Sequence, residues 1–157
     1  MNFNCDCTSF EEYEAMVYDD LLTQAKETAQ AEWESRSVTS GEVNRRWTEG
    51  SFIFKEGDTY YIMYSANFYG GPYYAVGYAT SKNPLGPFEK APENPILERN
   101  NDKGGEVYCT GHNMMVKDAE GQMYCVYHAR TQRTDSISHN HRMVFIDPME
   151  VTADGKL

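Results

Sequence analysis

The sequence lacks a long hydrophobic run, an excess of basic residues and a signal peptide, and each absence excludes a class of function. No stretch of about 18 apolar residues exists, so we expect no transmembrane helix. Lysine and arginine total 14 against 24 acidic residues, and the net charge of -10 argues against nucleic-acid or anionic-membrane partners. The N-terminal residues provide neither the basic nor the apolar segment of a signal peptide, so a cytoplasmic protein is expected.

Cysteines are few, and their spacing predicts reduced thiols instead of disulfides or a zinc site. Cys5 and Cys7 are separated by one residue and have no second pair at zinc-binding spacing. Cys109 and Cys125 fall in segments that read as neighbouring strands, where two buried small side chains are the simpler interpretation. We therefore expect no disulfide framework.

The hydrophobic pattern divides the chain into two parts. Residues 1–44 are predicted to form an N-terminal amphipathic helix and a linker, because apolar residues from Phe10 to Ala25 recur at helical spacing after a capping-box pattern. Residues 45–157 change to the period of two that is typical of strands. The predicted strands are Ser51–Lys55, Thr59–Tyr64, Tyr73–Ala79, Met114–Lys117, Met123–His128 and Met143–Ile146.

An internal repeat occupies the strand-rich part. The segment from Ser51 to Ala66 aligns with the segment from Asn113 to Ala129, turn against turn. Repeated antiparallel strands without helices between them are typical of propeller blades, and a β-sandwich is the alternative. The predicted fold is therefore all-β, with about two blades of a propeller. Because propellers have about four to eight blades, the ring needs further blades or another copy of the chain.

The repeat places two polar motifs at equivalent positions. Glu49-Gly50 and Gly111-His112 both precede the strand that lines the central channel in a propeller blade. We therefore expect a carboxylate and an imidazole to converge at one end of the channel.

Several motifs of the strand-rich part carry a family resemblance. They are Trp47-Thr48-Glu49-Gly50, Tyr60-Tyr61-Ile62-Met63-Tyr64-Ser65-Ala66, Pro84-Leu85-Gly86-Pro87-Phe88, Thr110-Gly111-His112-Asn113 and Tyr127-His128-Ala129. From about Trp33 to its C-terminus the chain resembles glycoside hydrolase family 43, of the β-xylosidase and α-L-arabinofuranosidase type. The resemblance implies a five-bladed β-propeller, of which this chain would be the C-terminal part of the catalytic domain.

The resemblance also implies roles for individual residues. Glu49 matches the family's general acid. His112 matches a central histidine that in several members binds calcium, directly or through water, and Arg142 is the candidate for a late arginine that contacts the sugar. Ser51 replaces the family's usual proline but leaves the acid in place. No segment before Glu49 resembles the earlier blades, which carry the family's catalytic base and the aspartate that tunes the acid.

Glycoside cleavage with inversion requires an acid for the leaving oxygen and a carboxylate base roughly 6.5–9.5 Å away. Burial beside aromatic residues such as Trp47 would favour the protonated form of Glu49. The ordinary alternative for such a residue is a solvated or hydrogen-bonded glutamate at a strand end. Asp102, Asp118 and Asp135 lie in predicted loops, and all three stay open as a replacement base.

An aromatic run around Gly70-Gly71-Pro72 offers rings for stacking on sugars. Phe68 and Tyr69 are the preferred candidates, whereas strand packing explains the tyrosines after the turn equally well. His128, inside a predicted strand, is expected to pack. The predicted substrate-binding residues are Trp47, Phe68, Tyr69, His112 and Arg142.

Two functions of different classes follow from these expectations. The first is a glycosidase that cleaves xylosyl or arabinosyl linkages of plant cell-wall polysaccharides or oligosaccharides, with its site completed by oligomerisation. The second is a non-catalytic, truncated propeller that binds sugar weakly or not at all. Half a propeller leaves two blade faces uncovered, which predicts a homo-oligomer, most simply a two-fold dimer.

Overall fold

The computed structural model describes residues 31–36, 47–100, 107–131 and 142–157, and only the backbone of Trp47. Within these residues the strands are β1 (Trp47–Glu56), β2 (Thr59–Asn67), β3 (Ala75–Ser81), β4 (Glu89–Lys90), β5 (Tyr108–Lys117), β6 (Met123–Arg130) and β7 (Met143–Met149). A short 3-10 helix, Glu32–Ser35, precedes them. No helix in these ranges is long and apolar enough to cross a membrane. The predicted N-terminal amphipathic helix lies outside the described residues.

The strands form two antiparallel sheets, one for each copy of the repeat. Sheet A has the order β1-β2-β3-β4 and sheet B the order β5-β6-β7, so hydrogen-bonded neighbours are consecutive in the chain. The first strands of the two sheets, β1 and β5, pack against each other. Inner strands of neighbouring propeller blades are arranged in this way. The predicted all-β fold is confirmed.

Turn chemistry closes the two equivalent hairpins. Between β1 and β2, Gly57 has a φ of 56°, a left-handed conformation that glycine adopts without strain. Between β5 and β6, the Asp118 carboxylate accepts hydrogen bonds from the backbone N–H groups of Glu120 and Gln122. Such local side-chain bonds favour a turn over a continued strand.

The predicted strands are present, but several of their ends differ. β1 begins at Trp47 instead of Ser51, and β5 begins at Tyr108, well before its predicted start. A bulge near the start of each strand breaks the alternation on which the prediction depended. The predicted start of the third strand at Tyr73 is wrong, because the preceding turn continues through this residue and β3 begins at Ala75.

The main core lies between the two sheets. It is formed by Phe54, Tyr61, Met63, Val76 and Tyr78 of sheet A and by Met123, Cys125, Tyr127 and Ala129 of sheet B. Removal of these apolar side chains from water holds the sheets face to face. Cys125 and Cys109 are buried free thiols, as predicted, and burial raises the pKa of Cys125 to about 11.

The 3-10 helix covers part of the second face of sheet A. Trp33 packs there against a cluster that includes Tyr64 and Ala79. The neighbouring Glu34 is fully buried, accepts a hydrogen bond of 2.7 Å from the Tyr64 hydroxyl and forms an ion pair with Lys90. The second face of sheet A is therefore partly covered.

Sheet B is packed on one face only in the described part of the chain. Met114, Val126 and Ile146 form a cross-strand row on its other face, and Val144 pairs with His128 beside that row. Ile146 is 61% exposed and Val144 is 72% exposed. This outer face of sheet B is an exposed apolar surface of the kind that a further blade would cover.

Candidate active site

Two matching bulges shape one end of the molecule. The pairing of β1 with β2 is interrupted between Glu49 and Phe52, and the pairing of β5 with β6 is interrupted between Gly111 and Met114. The residue inside each bulge has a left-handed backbone: Gly50 has a φ of 61°, and His112, which the repeat aligns with it, has a φ of 52°. Left-handed non-glycine residues are uncommon, and they concentrate at functional sites.

A tyrosine holds the carboxylate of Glu49. The Tyr74 hydroxyl donates a hydrogen bond of 2.8 Å to Glu49 Oε1. The ring of Tyr74 reaches this position because Gly111 has no side chain: a Cβ there would lie 2.1 Å from Tyr74 Cε1. Burial, together with the charge and hydrogen bond of Glu49, raises the pKa of Tyr74 far above its usual value. Tyr74 therefore stays a hydrogen-bond donor to Glu49.

His112 lies beside the bulge that carries Glu49. Its backbone N–H donates a hydrogen bond of 2.7 Å to the Oγ of Ser65, which is fully buried. A Cβ on Gly50 would lie 3.2 Å from Cγ of the His112 ring, so the two bulges are in contact. The imidazole itself is exposed to solvent. The expected meeting of a carboxylate and an imidazole motif at one end of the fold is present in this geometry.

A second layer of side chains adjoins these residues. His128 stacks on Tyr74 with ring centroids 5.6 Å apart, and its Nε2 lies 3.4 Å from Nη1 of Arg142. The guanidinium of Arg142 also lies 4.7 Å from the centroid of the Tyr69 ring. Because a guanidinium can only donate, Nε2 of His128 is the acceptor. Burial and the charge of Arg142 lower the pKa of His128 to about 4, so its ring is neutral near pH 7.

We call the residues Glu49, Tyr69, Tyr74, His112, His128 and Arg142 the site cluster. It combines a clamped carboxylate, a cationic donor and exposed ring surface, which suits the recognition and protonation of a hydroxyl-rich ligand. Glu49 is the one carboxylate in this cluster. A reaction that needs a second carboxylate must therefore obtain it from a residue outside the cluster.

Some predicted site residues do not join the cluster. Phe68 is 2% exposed, so its ring has no face available for a sugar and the stacking role assigned to it is wrong. Asp118 lies in the turn beyond the far end of β5, about 20 Å along the strand from Gly111, too far to act as the base of the site in its own chain. The side chain of Trp47, together with Asp102 and Asp135, lies outside the described residues.

Sequence reasoning missed two members of the cluster, Tyr74 and His128, which were assigned to packing. The repeat contained a signal for His128. In sheet A, Glu49 is paired with Ser65, and in sheet B the equivalent Gly111 is paired with His128. His128 therefore occupies the position in sheet B that is equivalent to Ser65, the residue paired with Glu49 in sheet A.

The described residues contain no group of three or more His, Cys, Asp or Glu side chains that would hold a metal ion. Calcium takes six to eight oxygen ligands, roughly, and an imidazole is a minor contributor to such a shell. His112 alone does not meet that requirement, so the described ligand set does not fit a directly bound calcium ion. The predicted calcium site would have to rely on water and on groups beyond these residues.

The family can be assigned by comparison with known proteins. The sequence model of the family described as glycosyl hydrolases family 43 matches residues 10–157. The chain belongs to this family. Its two sheets are thus two blades of the family's propeller, as predicted.

Relatives of the chain have different named activities. The chain is 32% identical over 111 residues to a β-D-galactofuranosidase of Aspergillus niger, covering 71% of this chain and 31% of that protein. It is 32% identical over 120 residues to a non-reducing end α-L-arabinofuranosidase of Bacteroides ovatus, covering 76% and 22%.

Solved structures of glycoside hydrolases share the fold. A thermostable family 43 glycoside hydrolase is 35% identical, with a TM-score of 0.66, and the match covers 79% of this chain and 37% of that one. An endo-1,4-β-xylanase of Bacteroides thetaiotaomicron is 30% identical, with a TM-score of 0.66 and coverage of 82% and 40%. The chain therefore spans well under half the length of these relatives.

Proposed function

We propose that this chain forms the acid side of a glycosidase active site and that Glu49 is the general acid. The observation that carries the proposal is the clamp on Glu49: Tyr74 fixes one carboxylate oxygen, and the next residue, Gly50, lies against His112. Family membership supplies the reaction class, and relatives named as arabinofuranosidases and xylosidases favour arabinosyl or xylosyl linkages as targets.

The clamp assigns different tasks to the two oxygens of Glu49. Oε1 accepts the hydrogen bond from Tyr74, which keeps its own proton because burial raises its pKa. The proton for the leaving oxygen would therefore be carried on Oε2. A donor held in one rotamer loses less entropy at the transition state than a mobile one, which raises the rate of protonation.

Arg142 and Tyr69 are the residues we assign to sugar binding. The guanidinium of Arg142 offers several N–H donors to ring hydroxyls, and its contacts with the Tyr69 ring and His128 Nε2 hold it in place. His112, which is exposed beside Gly50, is a third contact for the sugar. Its calcium, expected from the family resemblance, would be held largely through water.

The base must come from outside the site cluster, because inversion needs a carboxylate roughly 6.5–9.5 Å from the acid. We propose that it is supplied by further propeller blades, and that a second copy of the chain provides them in a homo-oligomer. The uncovered outer face of sheet B, with Val144 and Ile146 exposed, supports such an assembly.

A second candidate function is a non-catalytic propeller fragment that binds sugar weakly. The observation that favours it is the single carboxylate of the site cluster. A panel of 4-nitrophenyl β-D-xylopyranoside, α-L-arabinofuranoside and β-D-galactofuranoside, assayed on a sample sized by light scattering, separates the two. Hydrolysis that Glu49→Gln abolishes supports the enzyme. An assembled chain without hydrolysis on any of the three supports the fragment.

A further inference from the structure

The contact between sheets A and B joins two different kinds of face. Sheet A contributes the face that carries Phe54, Met63 and Tyr78, and sheet B contributes the face that carries Cys125 and Tyr127. Each sheet also has an opposite face, because successive side chains of a strand point to opposite sides. Since the sheets are copies of one repeat, the outer face of sheet B corresponds to the face by which sheet A packs on sheet B.

The strand register shows this correspondence pair by pair. The apolar residues by which sheet A packs on sheet B lie in the cross-strand pairs Phe52–Met63, Phe54–Tyr61, Met63–Tyr78 and Ser65–Val76. The apolar residues of the outer face of sheet B lie in the pairs Met114–Val126, Val116–Tyr124, Val126–Ile146 and His128–Val144. The repeat aligns each pair of the second set with the pair at the same place in the first. The outer face of sheet B is therefore built like a face that packs on a neighbouring blade.

The matching surface is the second face of sheet A, which is open beside the 3-10 helix in the described part of the chain. Ile53, which is paired with Ile62 on this face, is 47% exposed. A cavity of about 340 Å³ lies on the same face. Its lining includes Glu49, Ile62, Tyr64, Ala79 and Phe88.

This cavity has a counterpart within the chain. Tyr127, the repeat equivalent of Tyr64, lines a cavity between the two sheets together with Met63 of sheet A. The equivalent of Met63 on the outer face of sheet B is Val126. A second copy that repeated the internal contact would bring its Val126 to the cavity on sheet A, which is also lined by Glu49. The covering sheet would thus adjoin the site cluster.

The charges at the edge of the internal contact repeat as well. Nζ of Lys117 in sheet B lies 2.7 Å from Oε2 of Glu56 in sheet A. The repeat aligns Lys55 with Lys117 and Asp118 with Glu56. A contact between the outer face of one copy and the second face of another therefore brings Asp118 and Lys55 together with complementary charges.

We propose that the outer face of sheet B binds the second face of sheet A of another copy, and that two copies close a ring of four blades about a two-fold axis. Contacts between unlike faces form rings when the rotation closes, and four blades are the low end of the propeller range. The proposal rests on the proposed function in one respect, the completion of the site by another copy of the chain. It does not require that Glu49 be the acid.

A mixing experiment with the full chain tests which faces meet. Ile53→Lys places a charge on the second face of sheet A, and Val144→Lys places one on the outer face of sheet B. We expect each variant alone to associate at least 100-fold more weakly than the parent in sedimentation equilibrium. An equimolar mixture should form a 1:1 complex at concentrations where each variant is monomeric, because one unaltered contact remains. Leu85→Lys, in the exposed connector between β3 and β4, is the control and should associate as the parent does.

A charge exchange tests the register of the contact. Lys55→Glu and Asp118→Lys should each weaken association about tenfold, and the two substitutions in one chain should restore it, because opposite charges again meet across the contact. The Asp118 carboxylate also holds its own turn. If Asp118→Lys fails to fold, Lys55→Glu should still weaken association more than Lys55→Met, since only the glutamate repels Asp118.

Three outcomes would overturn the proposal. They are a parent that stays monomeric, an Ile53→Lys variant that associates as the parent does, and a mixture of the two face variants that stays monomeric. The second outcome would mean that two outer faces of sheet B meet each other. A chain that associates as proposed but hydrolyses no glycoside would refute the proposed function and leave this inference standing. Hydrolysis by a monomer that Glu49→Gln abolishes would do the reverse.

Discussion

Gly50 and His112 lie in contact at equivalent positions of the two blades, and both have a left-handed backbone. Gly50 adopts this conformation without strain, whereas His112 does not. The strain at His112 is tolerated because its N–H is bonded to the buried Ser65. The bulge that turns Glu49 and the bulge that turns His112 therefore depend on each other.

Substitution of Gly50 tests this dependence, with Gly57 as a matched control. Both glycines have a positive φ, but a Cβ on Gly57 meets nothing within 4 Å, whereas one on Gly50 meets the ring of His112. Each alanine variant should lose about 1 kcal/mol of stability from backbone strain. Only Gly50→Ala should also lower kcat/KM, by about tenfold to 100-fold, because it displaces His112.

Thermal melts and glycoside assays on the two variants check this expectation. Equal activity of Gly50→Ala and Gly57→Ala would mean that the contact with His112 has no bearing on the site.

The sequence predicted the part of the site that lies on the repeat. Glu49 and His112 could be placed because equivalent strands carry equivalent end positions. Tyr74 could not, since its ring reaches Glu49 only through the space left by Gly111 of the other sheet. Such contacts depend on how the sheets pack, which period and spacing do not specify.

The same limit explains the strand ends and Phe68. Bulges interrupt the alternation of β1 and β5, so the sequence pattern shows only the regular part of each strand. An aromatic residue beside a glycine turn is typical of binding surfaces, but the exposure of its ring depends on what packs over it. Phe68 is covered, whereas Tyr69 next to it carries Arg142 over its ring.

The role of Glu49 predicts a dependence on the leaving group. Glu49→Gln removes the proton donor, so hydrolysis of natural oligosaccharides should fall by roughly 10²- to 10⁴-fold. Aryl glycosides with acidic leaving groups need little protonation and should lose much less. Tyr74→Phe keeps the ring over Gly111 and removes only the bond to Glu49, so we expect a loss of about tenfold. Parent-like kcat/KM of Glu49→Gln on an oligosaccharide would refute the assignment.

The lowered pKa of His128 predicts a pH dependence of stability. The folded ring has a pKa of about 4 against an ordinary value of 6.5, so the unfolded chain binds more protons between these values. Stability must therefore fall as the pH drops from about 6.5 to about 4. Melting temperatures of parent and His128→Gln measured across this range should converge toward low pH, since the variant lacks the titrating group. Parallel curves would show that His128 does not titrate in this way.

The calcium expectation predicts a response to chelation. If the native chain binds calcium at His112 through water, EGTA should lower the melting temperature and added calcium should restore it, because binding to the native state alone stabilises it. His112→Ala should remove the response, and magnesium added at the same concentration is the control. A parent that ignores both EGTA and calcium would exclude the metal role.

The uncovered outer face of sheet B predicts that the chain associates with itself. With two blades only, this face stays in water. Its apolar residues, among them Val144 and Ile146, contribute about 25 cal/mol for each Å² that a second copy covers. Several hundred Å² of such surface outweigh the cost of ordering the contact, and two copies close most simply as a two-fold dimer. If the partner also supplies the base, specific activity must fall on dilution below the dissociation constant of the dimer. The double variant Val144→Lys with Ile146→Lys should abolish both association and activity. Light scattering and the aryl glycoside assay on the same dilution series decide the matter: a monomer with full specific activity would contradict the dimer and the shared site together.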